Sequence, residues 1–329
     1  MTHPSAIPTP LTSVIICAYT MERWHDLVCA VESARAQPQA FQVIVVIDHN
    51  QELLTRAQQR WPEVTVIPNL SKQGLSGARN TGLDVAEGTV VAFLDDDATA
   101  DASWLARLLA PFSTPDVVAV GGAAHPVWPT GKPARMLPPE LLWIVGCTHR
   151  GQPTELADVR NVIGCSMAFR TAPLRSVGGF NVDTGRVGKL PLGAEETEVC
   201  IRLTQHNRAY RIRFEPASVV FHRVTAERTT WRYVARRSFY EGVSKAALTR
   251  TLGSADSLSS ERAYTARVLP RAVFRELTSA RVPEAAAIVL CLVSAAAGYA
   301  YAMTRGHTPH SPISTLDASE RTLATRGTV

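Results

Sequence analysis

At 329 residues the chain has room for one large α/β domain and an appendage, since single domains run to ~100–200 residues. Hydrophobic residues at 46% and charged residues at 19% exclude intrinsic disorder, a collagen-like sequence and a polytopic membrane protein. The net charge is only +5, but it is unevenly placed: positions 222–281 carry 12 Lys or Arg against five Asp or Glu. Such a segment is either a solvated helix surface or a face for an anionic substrate or lipid headgroups. Nucleic acid is disfavoured, because no finger, RNP or basic-zipper pattern accompanies the charge.

Six cysteines (Cys17, Cys29, Cys147, Cys165, Cys200, Cys291) lie far apart without a CxxC pair and read as reduced core thiols. The opening MTHPSAIPTPLT has no basic or apolar signal-peptide region, so positions 1–12 read as a disordered lead and the expected location is cytoplasmic.

In chain order, Ser13–Ala18, Phe41–Asp48, Val64–Ile67 and Thr89–Asp95 are short apolar runs rich in β-branched residues, as strands buried on both faces should be. Helical stretches at Glu22–Ala36, Gln51–Arg60 and Ser76–Ala86 separate them. This alternation predicts βαβ units and a mainly parallel sheet, with ligands at the carboxyl ends of the strands. Gly121–Asp158, rich in Pro, Gly and Trp, reads as long connections over a site. Asn161–Arg170 then predicts a strand, Gly193–Gln205 a helix, and Tyr210–Phe214 and Val219–His222 two short strands. A helical pattern runs from Thr229 to about Thr304, and 305–329 reads as a disordered tail.

The residues that follow the strands carry the chemistry. Asp95-Asp96-Asp97 would repel one another without a cation or donors to hold them. Oxygen ligands at the first and third positions of an extended segment face one side and suit Mg²⁺ or Mn²⁺. Lys72–Gly82 (KQGLSGARNTG) places Lys72, Arg79 and three glycines at the start of a helix, a place suited to an anion. It is not a P-loop, because Leu83 and Asp84 stand where Lys and Ser/Thr would be needed, and no GxGxxG follows the first strand. Glu195 and Glu196 open a predicted helix, where carboxylates are favoured by the dipole, and one of them can serve as general base if its pKa is lifted. His222 is either a core histidine or a third metal ligand.

Taken together and in this order, SVIICAYT, VVIDHN, GLSGARNTG, FLDDD, IGCSMAFR with VGGF after it, and GAEETEVCIRL resemble the inverting glycosyltransferases of family 2. The resemblance covers about Ser13 to His222. It implies a GT-A fold, Rossmann-like with a mainly parallel sheet flanked by helices, over 13–225, with a C-terminal helical extension over 226–304. It also implies a nucleotide-sugar donor, UDP by default, and a divalent metal cofactor, Mn²⁺ or Mg²⁺. Tyr19 and Asp48 would hold the base with Ala18 and Glu22 beside them, Arg79 would lie near it, and Asp96 would reach the ribose. Asp95, Asp97 and His222 would bind the metal. Glu196 would be the base, with Glu195 as the alternative, because the family often has Glu-Asp where this chain has two glutamates. The acceptor would be a sugar, a lipid-linked molecule or a small molecule.

Two other readings compete. Asp95-x-Asp97-x-Thr99 also fits the opening motif of haloacid-dehalogenase-type phosphatases, with Asp95 as nucleophile. Two βα units precede it, however, and no later Gly-Asp-x-x-x-Asp appears. A non-catalytic sugar-nucleotide binder is the other, against which both the metal pair and a candidate base count. Finally, Ala285–Met303 holds no charge and is just long enough to span a bilayer, although eight of its residues are alanine. It would span a membrane, lie in the interface on the cytoplasmic face, or pack against the catalytic domain or a second copy of the chain.

Overall fold

The computed structural model describes residues 10–183, 193–253 and 264–305. The expected lead, up to position 9, and the expected tail, from position 306, lie outside the described residues.

Strands β1 (Thr12–Ala18), β2 (Ala40–Ile47), β3 (Thr65–Pro68) and β4 (Val90–Asp95) run parallel, with β1 between β2 and β4. With β5 (Ala98–Ala100), β6 (Val117–Val127), β7 (Ala157–Asp158), β8 (Ser166–Arg170) and β9 (Arg211–Arg223) they form one sheet in the order β3-β2-β1-β4-β8-β6-β9-β5, β7 pairing with β9. β8 is antiparallel to both β4 and β6, so the sheet is mixed.

Side chains alternate between two cores, as the period of two requires. Val14, Ile16 and Ala18 of β1 face Leu27 and Val31 of α1 (Trp24–Arg35), Leu53 of α2 (Gln51–Arg60) and Leu105 of α4 (Trp104–Leu109). Ile15 and Cys17 face Ala78 and Leu83 of α3 (Leu75–Val85), Leu174 of α5 (Thr171–Ser176) and Leu203 of α6 (Glu195–His206). Each fully buried aliphatic side chain contributes about 1.5–3 kcal/mol, so this three-layer core is the main stabilising element. Inside it the Trp104 indole donates to Ser166 Oγ at 2.9 Å.

The structure departs from the expected elements where local signals were weak. Gly121–Val127, expected as connection, is the second half of β6, and its glycines admit close neighbours: a Cβ on Gly122 would collide with Ser166 and Ser218. Asn161–Arg170 is a strand only from Ser166 onward. The two short strands predicted at 210–222 are one long β9, with a register irregularity opposite Gly122 and Ala123. The helix predicted from Glu22 begins as a 3₁₀ turn, Met21–Arg23.

Beyond β9 lie α7 (Trp231–Leu252), a π-helical turn (Tyr264–Val268), α8 (Leu269–Thr278) and α9 (Val282–Arg305). Here α9 packs along α7, and two glycines permit it: a Cβ on Gly298 would strike Phe239 O, and one on Gly242 would strike Ala295 O. Arg250 of α7 donates to Ala302 O (2.6 Å) and Met303 O (3.0 Å) at the far end of α9. Among the described residues α9 is the one helix long and apolar enough to cross a membrane. Its inner face (Ala287, Ile288, Cys291) joins Leu141, Val234 and Leu269 in a third core, while Val282, Val289 and Val293 are exposed.

Candidate active site

The strand ends build the site. β4 ends at Asp95, and the turn after it carries Asp96 and Asp97, both buried. β5 pairs antiparallel with β9 so that Ala98 lies opposite His222, which brings that histidine back to the aspartates. His222 Nε2 lies 3.1 Å from Asp97 Oδ1. Arg23 Nη1 reaches Asp96 Oδ1 at 2.8 Å and Asp97 Oδ2 at 3.1 Å, and Arg228 Nη2 approaches Asp97 Oδ2 at 3.4 Å. Burial pushes Asp97 up, but His222, Arg23 and Arg228 outweigh it and hold the carboxyl well below its usual range. Burial likewise opposes the charge on His222, yet Asp97 lifts it to about 10. Asp96 moves the other way, to about 7, because burial and the neighbouring aspartates together exceed the pull of Arg23.

A divalent ion fits this donor set. One donor atom from each of Asp95, Asp97 and His222 can be chosen so that all lie within 4.8 Å of one another. Two donors bound to one ion through bonds of ~2.1 Å come to comparable separations, and carboxylates with an imidazole suit Mn²⁺ and Mg²⁺.

The acidic pair sits across from this cluster at the start of α6. Ala194, directly before it, holds a φ of 83°, a left-handed conformation that a non-glycine residue adopts at a cost of order 1–3 kcal/mol. Arg79 of α3, 2% exposed, lies between the two groups. It donates to Glu195 Oε1 (2.9 Å), Asp95 Oδ1 (3.4 Å) and Gly164 O (3.1 Å), and its guanidinium lies near the rings of Phe93 and Phe180. Glu195 is therefore engaged as a counter-ion. Glu196 is raised to about 8 by burial first and by Glu195 second, against the pull of Arg79. A carboxyl so lifted can take a proton near neutral pH, which its neighbour, already paired, is less suited to do.

Ala18, Tyr19, Asp48 and Asp96 line a small recess at the ends of β1 and β2, with Cys17 and Arg23. Asp48 accepts from Asn69 Nδ2 (2.6 Å) and Gly74 N (3.0 Å), which fixes the loop leading into α3. The loop also packs on the first turn of α3, where a Cβ on Gly77 would collide with Lys72 O. Glu22 is exposed and lines neither the recess nor the larger cavity beside it. Arg79 lines that larger cavity rather than the recess. The cavity, of about 810 Å³, shares Arg23, Leu75 and Asp95 with the recess and also holds Asp97, His222, Glu195 and Glu196. It extends past Trp143 and Arg237 to the helices of the C-terminal extension.

The sequence profile described as Glycosyl transferase family 2 matches residues 13–178. A glucosyl-dolichyl phosphate glucuronosyltransferase of Haloferax volcanii is 35% identical over 238 residues, which are 71% of this chain and 75% of the relative. The chain belongs to glycosyl transferase family 2. A pre-mycofactocin glycosyltransferase of Mycobacterium tuberculosis is 29% identical over 181 residues, 55% of this chain and 36% of that protein. Among solved structures, the chain superposes on a mannosyltransferase of Pyrobaculum calidifontis, in complex with GDP-Man and Mn²⁺, with a TM-score of 0.57 and 20% identity over 97% of this chain and 81% of that one. GalNAc-T7 with UDP, GalNAc and Mn²⁺ gives 0.51 and 19% over 76% of this chain and 53% of that one. At that identity the likeness is one of fold, the GT-A fold.

Membership of the family makes this chain a glycosyltransferase enzyme and sets aside the phosphatase and the non-catalytic binder. Sequence reasoning passed over three arginines of this family 2 site. Arg23 and Arg228 clamp the aspartates, and Arg237, half-buried on α7, reaches Glu241 Oε2 at 2.8 Å and stacks over Trp143. Only their position could have drawn attention to them: Arg23 follows the first strand end, and the other two fall in the basic segment.

Proposed function

We propose that this glycosyltransferase moves a sugar with inversion from a nucleoside diphosphate, UDP in the first instance, to an acceptor hydroxyl, with Mn²⁺ or Mg²⁺ held by Asp95, Asp97 and His222. The observation that carries the reading is the meeting of that donor cluster and the raised carboxyl of Glu196 in one cavity. The Mn²⁺ in both solved neighbours supports the ion, and the UDP of one of them supports the nucleotide. When bound, the ion supplies positive charge at the departing diphosphate. Glu196 takes the acceptor proton, Glu195 and Arg79 hold the turn that presents it, and Ala18, Tyr19 and Asp48 receive the base while Asp96 receives the ribose. The catalytic unit is 13–225, and 226–304 is a membrane-facing extension.

A thermal-shift screen of sugar nucleotides tests this. The cognate donor with Mn²⁺ is expected to stabilise the protein by about 2.7 kcal/mol at a hundred times its Kd, and excess EDTA is expected to remove most of that gain. An equal gain with EDTA present would reject the metal.

The extension is proposed to seat on the cytoplasmic face of a membrane without crossing it. α9 is bound along α7, which carries Arg232, Arg236, Arg237, Glu241, Lys245 and Arg250. Spanning would draw such side chains toward hydrocarbon at about 2.5–3.5 kcal/mol each, whereas an in-plane seat buries only the outer face with Val282, Val289 and Val293. Val289→Glu combined with Val293→Glu is expected to weaken flotation with anionic liposomes by about tenfold or more. Unchanged flotation would place the contact elsewhere.

A further inference from the structure

The cavity that holds Glu196 also has an apolar wall. Its far wall is the flank of α9, formed by Cys291, Leu292, Ala295 and Tyr299, with Leu269 of α8 beside them. Glu241 and Lys245 of α7 line the same cavity, and this flank of α9 is its apolar part. Ala296 belongs to that wall and is also exposed, and it lies on the same side of α9 as Val289 and Val293. The apolar wall of the cavity is thus continuous with the exposed apolar face of the helix. The cavity thus joins the carboxyl of Glu196 to an apolar wall that opens onto the surface proposed above to meet lipid.

We infer that the acceptor is an amphiphile that lies along this cavity, with its hydroxyl head at Glu196 and its hydrocarbon chain against α9, leaving past Ala296 into the bilayer. The inference rests on the reading of Glu196 as the base and names the substrate class that this base serves. Tyr299 and Arg237 line the same passage. At about 810 Å³ the cavity is within the range of ~300–1,000 Å³ typical of small-molecule sites, and with the donor held at Asp95, Asp97 and His222 it leaves room for the head and only the first part of a chain. The remainder is left to the membrane.

The probe is a hexadecyl β-glucoside with a diazirine near the head end of its chain, irradiated with the full-length protein in the presence of Mn²⁺ and UDP. Trypsin cuts after Arg281 and Arg305, which isolates α9 as one peptide. Label is expected on the cavity-facing Cys291, Leu292, Ala295 or Tyr299, and Ala296→Trp, at an exposed position that tolerates bulk, is expected to reduce it about fivefold or more by blocking the exit. Label confined to the outward-facing Val289 and Val293, label outside the cavity walls, no label, or label unaffected by Ala296→Trp would overturn the inference. Mapping on the wild-type protein stands even if the variant fails to fold. Labelling needs no turnover, so loss of the catalytic reading, seen as donor hydrolysis indifferent to Glu196→Gln, is separable from loss of this one.

Discussion

Glu196→Gln is expected to lower kcat by a factor on the order of 10²–10⁴ while donor affinity stays within about twofold. The substitution keeps the shape of the side chain and removes only its ability to accept a proton. Because the carboxyl titrates at about 8, wild-type activity is expected to rise with pH up to that region and to fall by about tenfold per unit well below it. Glu195→Gln removes a negative charge that raises Glu196, so the acid limb of the profile is expected to move to lower pH. Stability carries the opposite sign. Between its ordinary value of 4.5 and about 8, Glu196 holds its proton more tightly in the folded chain than in the unfolded one, so its contribution to stability is full below that window and is lost as pH rises through it. The Gln variant does not titrate and is expected to exceed the wild type in Tm at pH 8 and above, with the difference shrinking at pH 5. A variant that keeps full kcat would move the base to another residue.

Arg79→Met is expected to destabilise the fold by about 3–5 kcal/mol, because it leaves the buried Glu195 carboxylate without its cation. Asp95, whose side chain is 30% exposed, adds less through solvent screening. Arg79→Lys is expected to recover only part of the loss, since one ammonium cannot reach Glu195, Asp95 and Gly164 O in the fork geometry of a guanidinium. Urea midpoints read the effect. Adding Glu195→Gln to Arg79→Met is expected to return at least about 1 kcal/mol, as partners in one buried network are not additive. A single-variant loss under about 1 kcal/mol would show that Arg79 does not hold the two carboxylates in place.

How much of this was legible beforehand depends on sequence distance. β1, β2 and β4 were legible because strands buried on both faces need continuous β-branched runs, and Asp95 and Asp97 stood out as charges at the end of one of them. β6 was not, because it uses Gly121 and Gly122 to admit close neighbours and carries Pro126 near its end, and those residues imitate a loop. β9 read as two strands because Pro216 and Ser218 interrupt its apolar run at the irregularity. Arg23 and Arg228 left no local mark, since their aspartate partners are 73 and 131 residues away. Arg79 was visible as a cation in a glycine-rich segment, yet its placement between Asp95 and Glu195 follows from a partner 116 residues downstream. The apolar composition of α9 was plain, but its clasp on α7 through Gly242 and Gly298 is a property of the pair.

Transfer is proposed to be a single displacement in the cavity that joins Asp95, Asp97 and His222 to Glu196. Its most direct test is the anomeric configuration of the first-formed product, read by proton NMR with the donor that the thermal-shift screen selects, before mutarotation where water is the acceptor. An α-linked donor is predicted to give a β product at first appearance, in the wild type and, far more slowly, in the Glu196→Gln variant. An α product would contradict the account, because retention requires a second displacement or a different face of attack, for which Glu196 as base has no place.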